Sequence, residues 1–187
     1  MFSLPSIEEQ IVYVGRLMFE RRLTDISGGN ISCRSGEYIY MTPTGAGHQY
    51  HWKISPQEIL CARIDNDELL EHPNRSRESI SHLLVYRAYP AVRAIIHAHP
   101  FHVLPFCAAE RPIPAVIKSA QVFGAQFEFI ADKPEYSYEQ GEEIVARLRP
   151  LAALLGQQAA ALLMPKHGVF IAAANLANAI DCLESVD

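Results

Sequence analysis

The segment AIIHAHP, at residues 94–100, constrains the fold more than any other feature, because its strongly apolar run ends in two histidines. The run from Ala91 to His99 predicts a β-strand whose apolar part is buried. Side chains alternate between the two faces of a strand, so His97 and His99 point to the same face. The strand therefore brings two imidazoles together at its polar end.

Helical and strand-like runs interleave along the rest of the chain. A capping-box pattern at Ser6 and Glu9 predicts a first helix that extends to about Arg22. Four further helices are predicted at 76–89, 101–109, 138–155 and 176–186. Pro150 can break the third of them. Strands are predicted at 31–34, 38–41, 58–64, 159–164 and 169–173, whereas 116–129 fits neither pattern. Because the elements do not follow a strict βαβ alternation, we predict a single α/β domain over 1–187, an α/β/α sandwich with a mostly antiparallel sheet.

The composition narrows the class of protein. The chain has 187 residues, of which 49% are hydrophobic and 20% charged, values that predict one soluble domain. The net charge of −5, with no basic block, argues against nucleic-acid binding. No apolar run reaches the ~18 residues of a membrane span, and the start of the chain lacks the features of a signal peptide. Four dispersed cysteines without a CxxC pair fit free, mostly buried thiols, so we expect a cytoplasmic protein.

The histidine pair admits two interpretations. Two imidazoles on one face suit a zinc-type site, but two partly exposed histidines bonded to backbone groups would give the same pattern. A metal site needs a third ligand, and His167, in a predicted turn between two strands, is the best candidate. His102 breaks the spacing, so we expect it to support the ligands or to lie on the surface. The remaining four histidines have no comparable spacing.

Five segments in order resemble the class II aldolase/adducin family: GGNIS at 28–32, TPTG at 42–45, SRE at 76–78, HAH at 97–99 and KHG at 166–168. The resemblance extends from about residue 7 to the end of the chain. It implies that His97, His99 and His167 hold a divalent metal, most often zinc, with manganese, magnesium or cobalt as alternatives. Three imidazoles leave coordination positions open for a substrate, as in catalytic sites.

The resemblance also assigns roles to residues outside the histidine set. It implies that Glu78, nineteen positions before His97, is the general acid/base, and that it can ligate the metal when no substrate is bound. A phosphate group of the substrate is expected to contact Gly29, Asn30, Thr44, Gly45 and Ser76. Turns rich in glycine expose backbone N–H groups, which favour anions.

Two departures from the family pattern bear on the substrate. Sugar-phosphate aldolases have two serines before the glutamate, whereas this chain has Ser76 and Arg77. An arginine can strengthen phosphate binding, adapt the cleft to a carboxylate, or point to solvent. The chain also stops about twenty residues after His167, so we expect a short or truncated C-terminal tail. In many enzymes of the family this tail supplies a tyrosine for proton transfer, and Tyr136 or Tyr138 could substitute for it.

The leading prediction is a metal-dependent aldolase that cleaves a small ketose phosphate through an enediolate stabilised by the metal. The alternatives within the family are a sugar-phosphate epimerase, a dehydratase and a decarboxylase of an aromatic acid. An adducin-like interaction module is the alternative from another class, and it has no reason to keep the three histidines and Glu78 together. The family resemblance further implies a homotetramer.

Overall fold

The computed structural model describes residues 5–187. In this part of the chain, eight strands form one sheet in the order β3-β2-β1-β4-β8-β7-β6-β5. Their bounds are β1 Asn30–Ser35, β2 Tyr38–Met41, β3 Leu60–Arg63, β4 Ala94–Ala98, β5 Ile113–Pro114, β6 Gln126–Phe129, β7 Ala159–Met164 and β8 Gly168–Ala173. The β6–β7 pair is parallel, and the other neighbouring strands are antiparallel. The predicted α/β fold with a mostly antiparallel sheet is confirmed.

Helices cover both faces of this sheet. Their bounds are α1 Ile7–Glu20, α2 Glu68–Glu71, α3 Ser79–Ala88, α4 Leu104–Ala109, α5 Tyr138–Leu148, α6 Ala152–Leu155 and α7 Leu176–Val186. Helices α1 and α7 contribute to one hydrophobic cluster, and α3 and α5 contribute to the other. Among the residues that can be described, no helix is both long enough and apolar enough to cross a bilayer.

Strand β4 lies near the middle of the sheet and contributes to both clusters. Ile96 and Ala98 pack into the first cluster, and Ile95 packs into the second. This alternation follows from the period of two along a strand, and it puts His97 on the face of Ile95. The strand pairs with β1 and β8, which place Asn30 and Phe170 opposite His97.

Several boundaries differ from the sequence-based prediction. The helix expected from Ser76 begins at Ser79, because the Ser76 Oγ accepts the Glu78 N–H at 3.3 Å and closes a local turn instead. The helix expected over 138–155 is broken into α5, a 3₁₀ turn at Arg149–Leu151 and α6, as Pro150 requires. The ambiguous stretch 116–129 contains a 3₁₀ turn at Ala120–Phe123 and strand β6.

The four cysteines are free, as predicted. Cys33, Cys107 and Cys182 are buried, whereas Cys61 is exposed on β3. Burial raises the pKa of Cys33 to about 12, which keeps this thiol protonated and unreactive at neutral pH.

Candidate metal centre

His97 lies near the end of β4 and is buried. Its Nδ1 lies 3.1 Å from the Val169 carbonyl oxygen on β8. A carbonyl can only accept, so His97 donates from Nδ1 and carries its free lone pair on Nε2. Burial, together with the nearby His99 and His167, holds the pKa of His97 well below its usual range. The imidazole is therefore neutral, the form that a metal ion needs.

His99 follows β4 directly and turns its ring toward His97. Its Nδ1 lies 3.2 Å from the Asp25 Oδ1, and its Nε2 lies 3.1 Å from the His97 Nε2. When both rings keep their protons on Nδ1, two lone pairs face each other at this distance. Two imidazole nitrogens on one tetrahedral zinc would be about 3.3 Å apart. The separation of the two Nε2 atoms therefore fits a shared cation.

His167 completes the group from the turn between β7 and β8. The preceding Lys166 has a φ of 55°, which closes this turn tightly. The ligand atoms of His97, His99 and His167 all lie within 4.8 Å of one another. Burial, followed by the charge of His99, lowers the pKa of His167. The structure thus gathers three imidazoles that could hold a metal ion, although they come from two separate parts of the chain.

Glu78 lies beside the three histidines and is 3% exposed. Its Oε2 is 3.4 Å from the His97 Nε2, and its Oε1 is 3.8 Å from the His167 Nε2. Burial raises the pKa of Glu78 to about 7, although a hydrogen bond from Asn30 opposes this rise. Within residues 5–187, the buried Oε1 has no hydrogen-bond partner. An unpartnered carboxyl oxygen facing neutral imidazoles suits a divalent cation, so the residues present fit the metal that the family implies.

Asn30 fixes the position of this carboxyl group. Its Nδ2 donates to the Glu78 Oε2 and to the Ser76 Oγ, each at 3.1 Å. Ser76 therefore accepts from both Asn30 and the Glu78 backbone. The Ser76 hydroxyl proton is left to donate elsewhere. The sequence assigned Asn30 to the phosphate, and the structure adds a contact to the acid/base candidate.

All ten predicted site residues line one open cleft of about 90 Å³. Its lining is completed by Ser27, Gly28, Pro43 and Tyr136. The exposed Arg77 guanidinium stacks on the Tyr136 ring, 4.1 Å from its centroid. His102 does not line the cleft; it is 70% exposed and pairs with Asp187 at 2.9 Å.

Sequence reasoning missed Asp25 and Gly28 at this centre, and it named Tyr136 only as one of two tyrosines that could transfer protons. A Cβ on Gly28 would lie 2.4 Å from the His99 Cε1, so the absence of a side chain admits the ring. Gly28 belongs to the GGNIS segment, of which the family resemblance assigns only Gly29 and Asn30 to phosphate binding. Tyr136 has a φ of 62° in a loop, and Asp25 is separated from His99 by 74 positions. Neither residue has a local signature.

The fold and the cleft together define an α/β enzyme with a histidine group able to hold a metal ion. The sequence model for the Class II Aldolase and Adducin N-terminal domain matches residues 9–187. The chain belongs to this family, and the predictions of family and of a class II aldolase-type enzyme are confirmed.

Two curated relatives indicate the range of activities in this family. The chain is 25% identical over 135 residues to the L-fuculose phosphate aldolase of Methanococcus maripaludis, covering 72% of each protein. It is also 25% identical over 183 residues to the 3-oxo-tetronate 4-phosphate decarboxylase of Haemophilus influenzae, covering 96% of this chain and 83% of that protein.

Solved structures agree in fold. An L-fuculose 1-phosphate aldolase superposes with a TM-score of 0.82 at 23% identity, covering 98% of this chain and 82% of the other. YgbL from Escherichia coli, described as a putative aldolase/epimerase/decarboxylase, gives a TM-score of 0.71 at 21% identity, covering 95% and 83%.

Proposed function

We propose that the chain is a divalent-metal-dependent aldolase that cleaves a small ketose phosphate. His97, His99 and His167 would hold the ion, and Glu78 would move protons. When bound, the ion would supply Lewis-acid stabilisation of the negative charge that develops as the C–C bond breaks. The observation that carries the proposal is the position of Glu78, which is buried beside the group of three imidazoles.

Glu78 is suited to proton transfer at this position. Cleavage requires a base that removes the proton from the hydroxyl of the carbon that becomes the aldehyde. The electron pair of the broken bond stays on the other fragment, which must then be protonated. A carboxyl group with a pKa of about 7 can perform both steps at neutral pH, and Asn30 holds it in place.

The other end of the cleft is suited to an anion. Gly29 and Gly45 have φ values of 93° and 78°, the left-handed backbone found in anion-binding turns. Thr44 and the free hydroxyl proton of Ser76 add side-chain donors in the same cleft. These features support a phosphate group on the substrate.

The test is a metal-loaded assay with L-fuculose 1-phosphate and related ketose 1-phosphates. Release of dihydroxyacetone phosphate that stops on chelation and returns on reloading is the expected result. A metal-loaded protein that releases none from any of them contradicts the proposal.

A second candidate, decarboxylation of a 3-oxo acid phosphate, is favoured by Arg77. Its Cζ lies over the Tyr136 ring, 4.1 Å from the centroid, and the guanidinium of an arginine can bind a carboxylate through paired N–H groups. The C–CO₂ bond would break, the electron pair would stay as an enolate, and Glu78 would protonate it. The Haemophilus influenzae relative supports this alternative.

The variant Arg77→Ser separates the two candidates, because it restores the pair of serines of sugar-phosphate aldolases. For a decarboxylase, we expect KM for a 3-oxo acid phosphate to rise at least tenfold, since a charged hydrogen bond is lost. For an aldolase, KM for a ketose phosphate should change much less. Release of CO₂ and of triose phosphate is measured in parallel on the parent protein.

The proposal also covers the metal ion, the location of the protein and its assembly. Zinc is the preferred ion because three imidazoles are its typical ligands in catalytic sites. We place the protein in the cytoplasm, as one domain that assembles into a homotetramer. The exposed Val116, Ile117 and Val122 support such an assembly, and light scattering measures it.

A further inference from the structure

We propose that Asp25 is a positioning residue of the metal centre, which orients His99 and holds the proton of that ring on Nδ1. The inference rests on the proposed metal site. It assigns a role to a residue outside the five segments that carry the family resemblance.

One carboxylate oxygen of Asp25 contacts both His99 and the turn that follows Asp25. Its Oδ1 lies 3.2 Å from the His99 Nδ1, and it also accepts hydrogen bonds from the Ser27 N–H at 2.9 Å and the Gly28 N–H at 3.1 Å. The Ser27 hydroxyl donates to the same atom at 2.8 Å. A carboxylate that accepts from Nδ1 leaves the Nε2 lone pair of His99 directed at the centre. Metal-binding histidines commonly use their second nitrogen in this way.

The backbone of Asp25 is anchored to the core. The indole Nε1 of Trp52 donates to the Asp25 carbonyl oxygen at 3.2 Å, and Trp52 is fully buried. The indole lies against Gly15, where a Cβ would be 2.7 Å from the ring. The position of the carboxylate is therefore set by packing that does not depend on the metal ion.

Asp25 is nevertheless 41% exposed at its side chain, and water screens much of its charge. We therefore expect its contribution to come mainly from the hydrogen bond with the His99 Nδ1, which a carboxylate accepts more strongly than a neutral amide does. Loss of such an outer partner typically lowers metal affinity 10–100-fold.

Asp25 also closes the turn before Gly28, so a purely structural role must be separated from a role at the metal. The variant Asp25→Asn does this, because an amide oxygen can still accept the turn hydrogen bonds but, being uncharged, accepts from the His99 Nδ1 more weakly than a carboxylate does. Asp25→Ala removes both functions. The matched control is Asp187→Asn, which neutralises another carboxylate paired with a histidine, His102, away from the cleft.

The experiment measures the dissociation constant of Zn²⁺ by chelator competition and the absorption spectrum of the Co²⁺-loaded protein. We expect Asp25→Ala to bind Zn²⁺ about 10–100-fold more weakly and Asp25→Asn at least about threefold more weakly, with an altered Co²⁺ spectrum. Asp187→Asn should match the parent. If Asp25→Ala does not fold, Asp25→Asn decides.

Parental affinity and spectrum in Asp25→Asn would overturn the proposal, and so would a parent protein that binds no divalent ion. The readout does not involve a substrate. A parent that binds zinc but cleaves no ketose phosphate would contradict the proposed reaction, while the role of Asp25 would still be decided by its variants.

Discussion

At the scale of single residues, the centre depends on where protons lie. His97 donates from Nδ1 to the Val169 carbonyl oxygen, which leaves its Nε2 bare, and the His99 Nδ1 lies against the Asp25 carboxylate. Glu78 is the opposite case, since burial favours its protonated form and its pKa rises to about 7. Neutral imidazoles and a carboxyl group that titrates near neutrality are the states that metal-assisted proton transfer requires.

The variant Glu78→Gln tests the role of this carboxyl group. The amide preserves the shape and the hydrogen bond from Asn30 but cannot transfer protons. We expect turnover to fall about 10²–10⁴-fold with metal content unchanged. By comparison, His99→Ala should lose both metal and activity. Metal analysis and steady-state kinetics measure the two effects, and parental turnover in Glu78→Gln would exclude the assigned role.

At the scale of elements, the sequence predicted the parts of the site that follow from local periodicity. The same-face placement of His97 and His99 and the break at Pro150 rest on short-range geometry. The start of α3 was wrong by three residues, because the side chain of Ser76 competes with the helix. The very short α2 and β5 had no periodic signal to detect. Contacts such as that of Asp25 with His99 are set by tertiary packing, which no local pattern encodes.

The turn before β1 gives a test at this scale. In Gly28→Ala, the added methyl group would lie 2.4 Å from the His99 Cε1, so the ring must move away from its partners. We expect Zn²⁺ affinity to fall at least about tenfold, as measured by chelator competition. Gly156→Ala is the control, since its Cβ would meet its nearest neighbour at an ordinary 3.5 Å. Parental affinity in Gly28→Ala would show that the turn can adapt to the added methyl group.

At the scale of the whole molecule, buried neutral histidines make stability depend on pH. His82 is fully buried between α3 and the sheet, bonded to the Ser32 hydroxyl at 2.7 Å. Burial lowers its pKa to about 3, whereas in the unfolded chain it is about 6.5. Between these values the unfolded state binds a proton that the folded state does not. The contribution of His82 to the free energy of unfolding is therefore highest above about pH 6.5 and decreases as the pH falls toward 3.

Comparison with His82→Gln tests this effect, because the variant lacks the titrating ring, and His82 is only a minor cause of the lowered pKa of His97. Between pH 7 and pH 5, the parent should lose about 2 kcal/mol more of its unfolding free energy than the variant. Urea unfolding of the metal-free proteins at several pH values measures the difference. An equal pH dependence in the two proteins would mean that His82 titrates normally in the folded state.

The position of β4 between β1 and β8 has one more consequence, for the fidelity of folding. Its pairing sets Asn30 and Phe170 opposite His97, and a slip by one residue would turn His97 to the opposite face. A misregistered chain could still bury its apolar residues, because β4 is apolar on both faces. It could not gather the three imidazoles. Under the proposed function, the metal-loaded fraction of a preparation would therefore equal the fraction whose central strands have paired in the correct register.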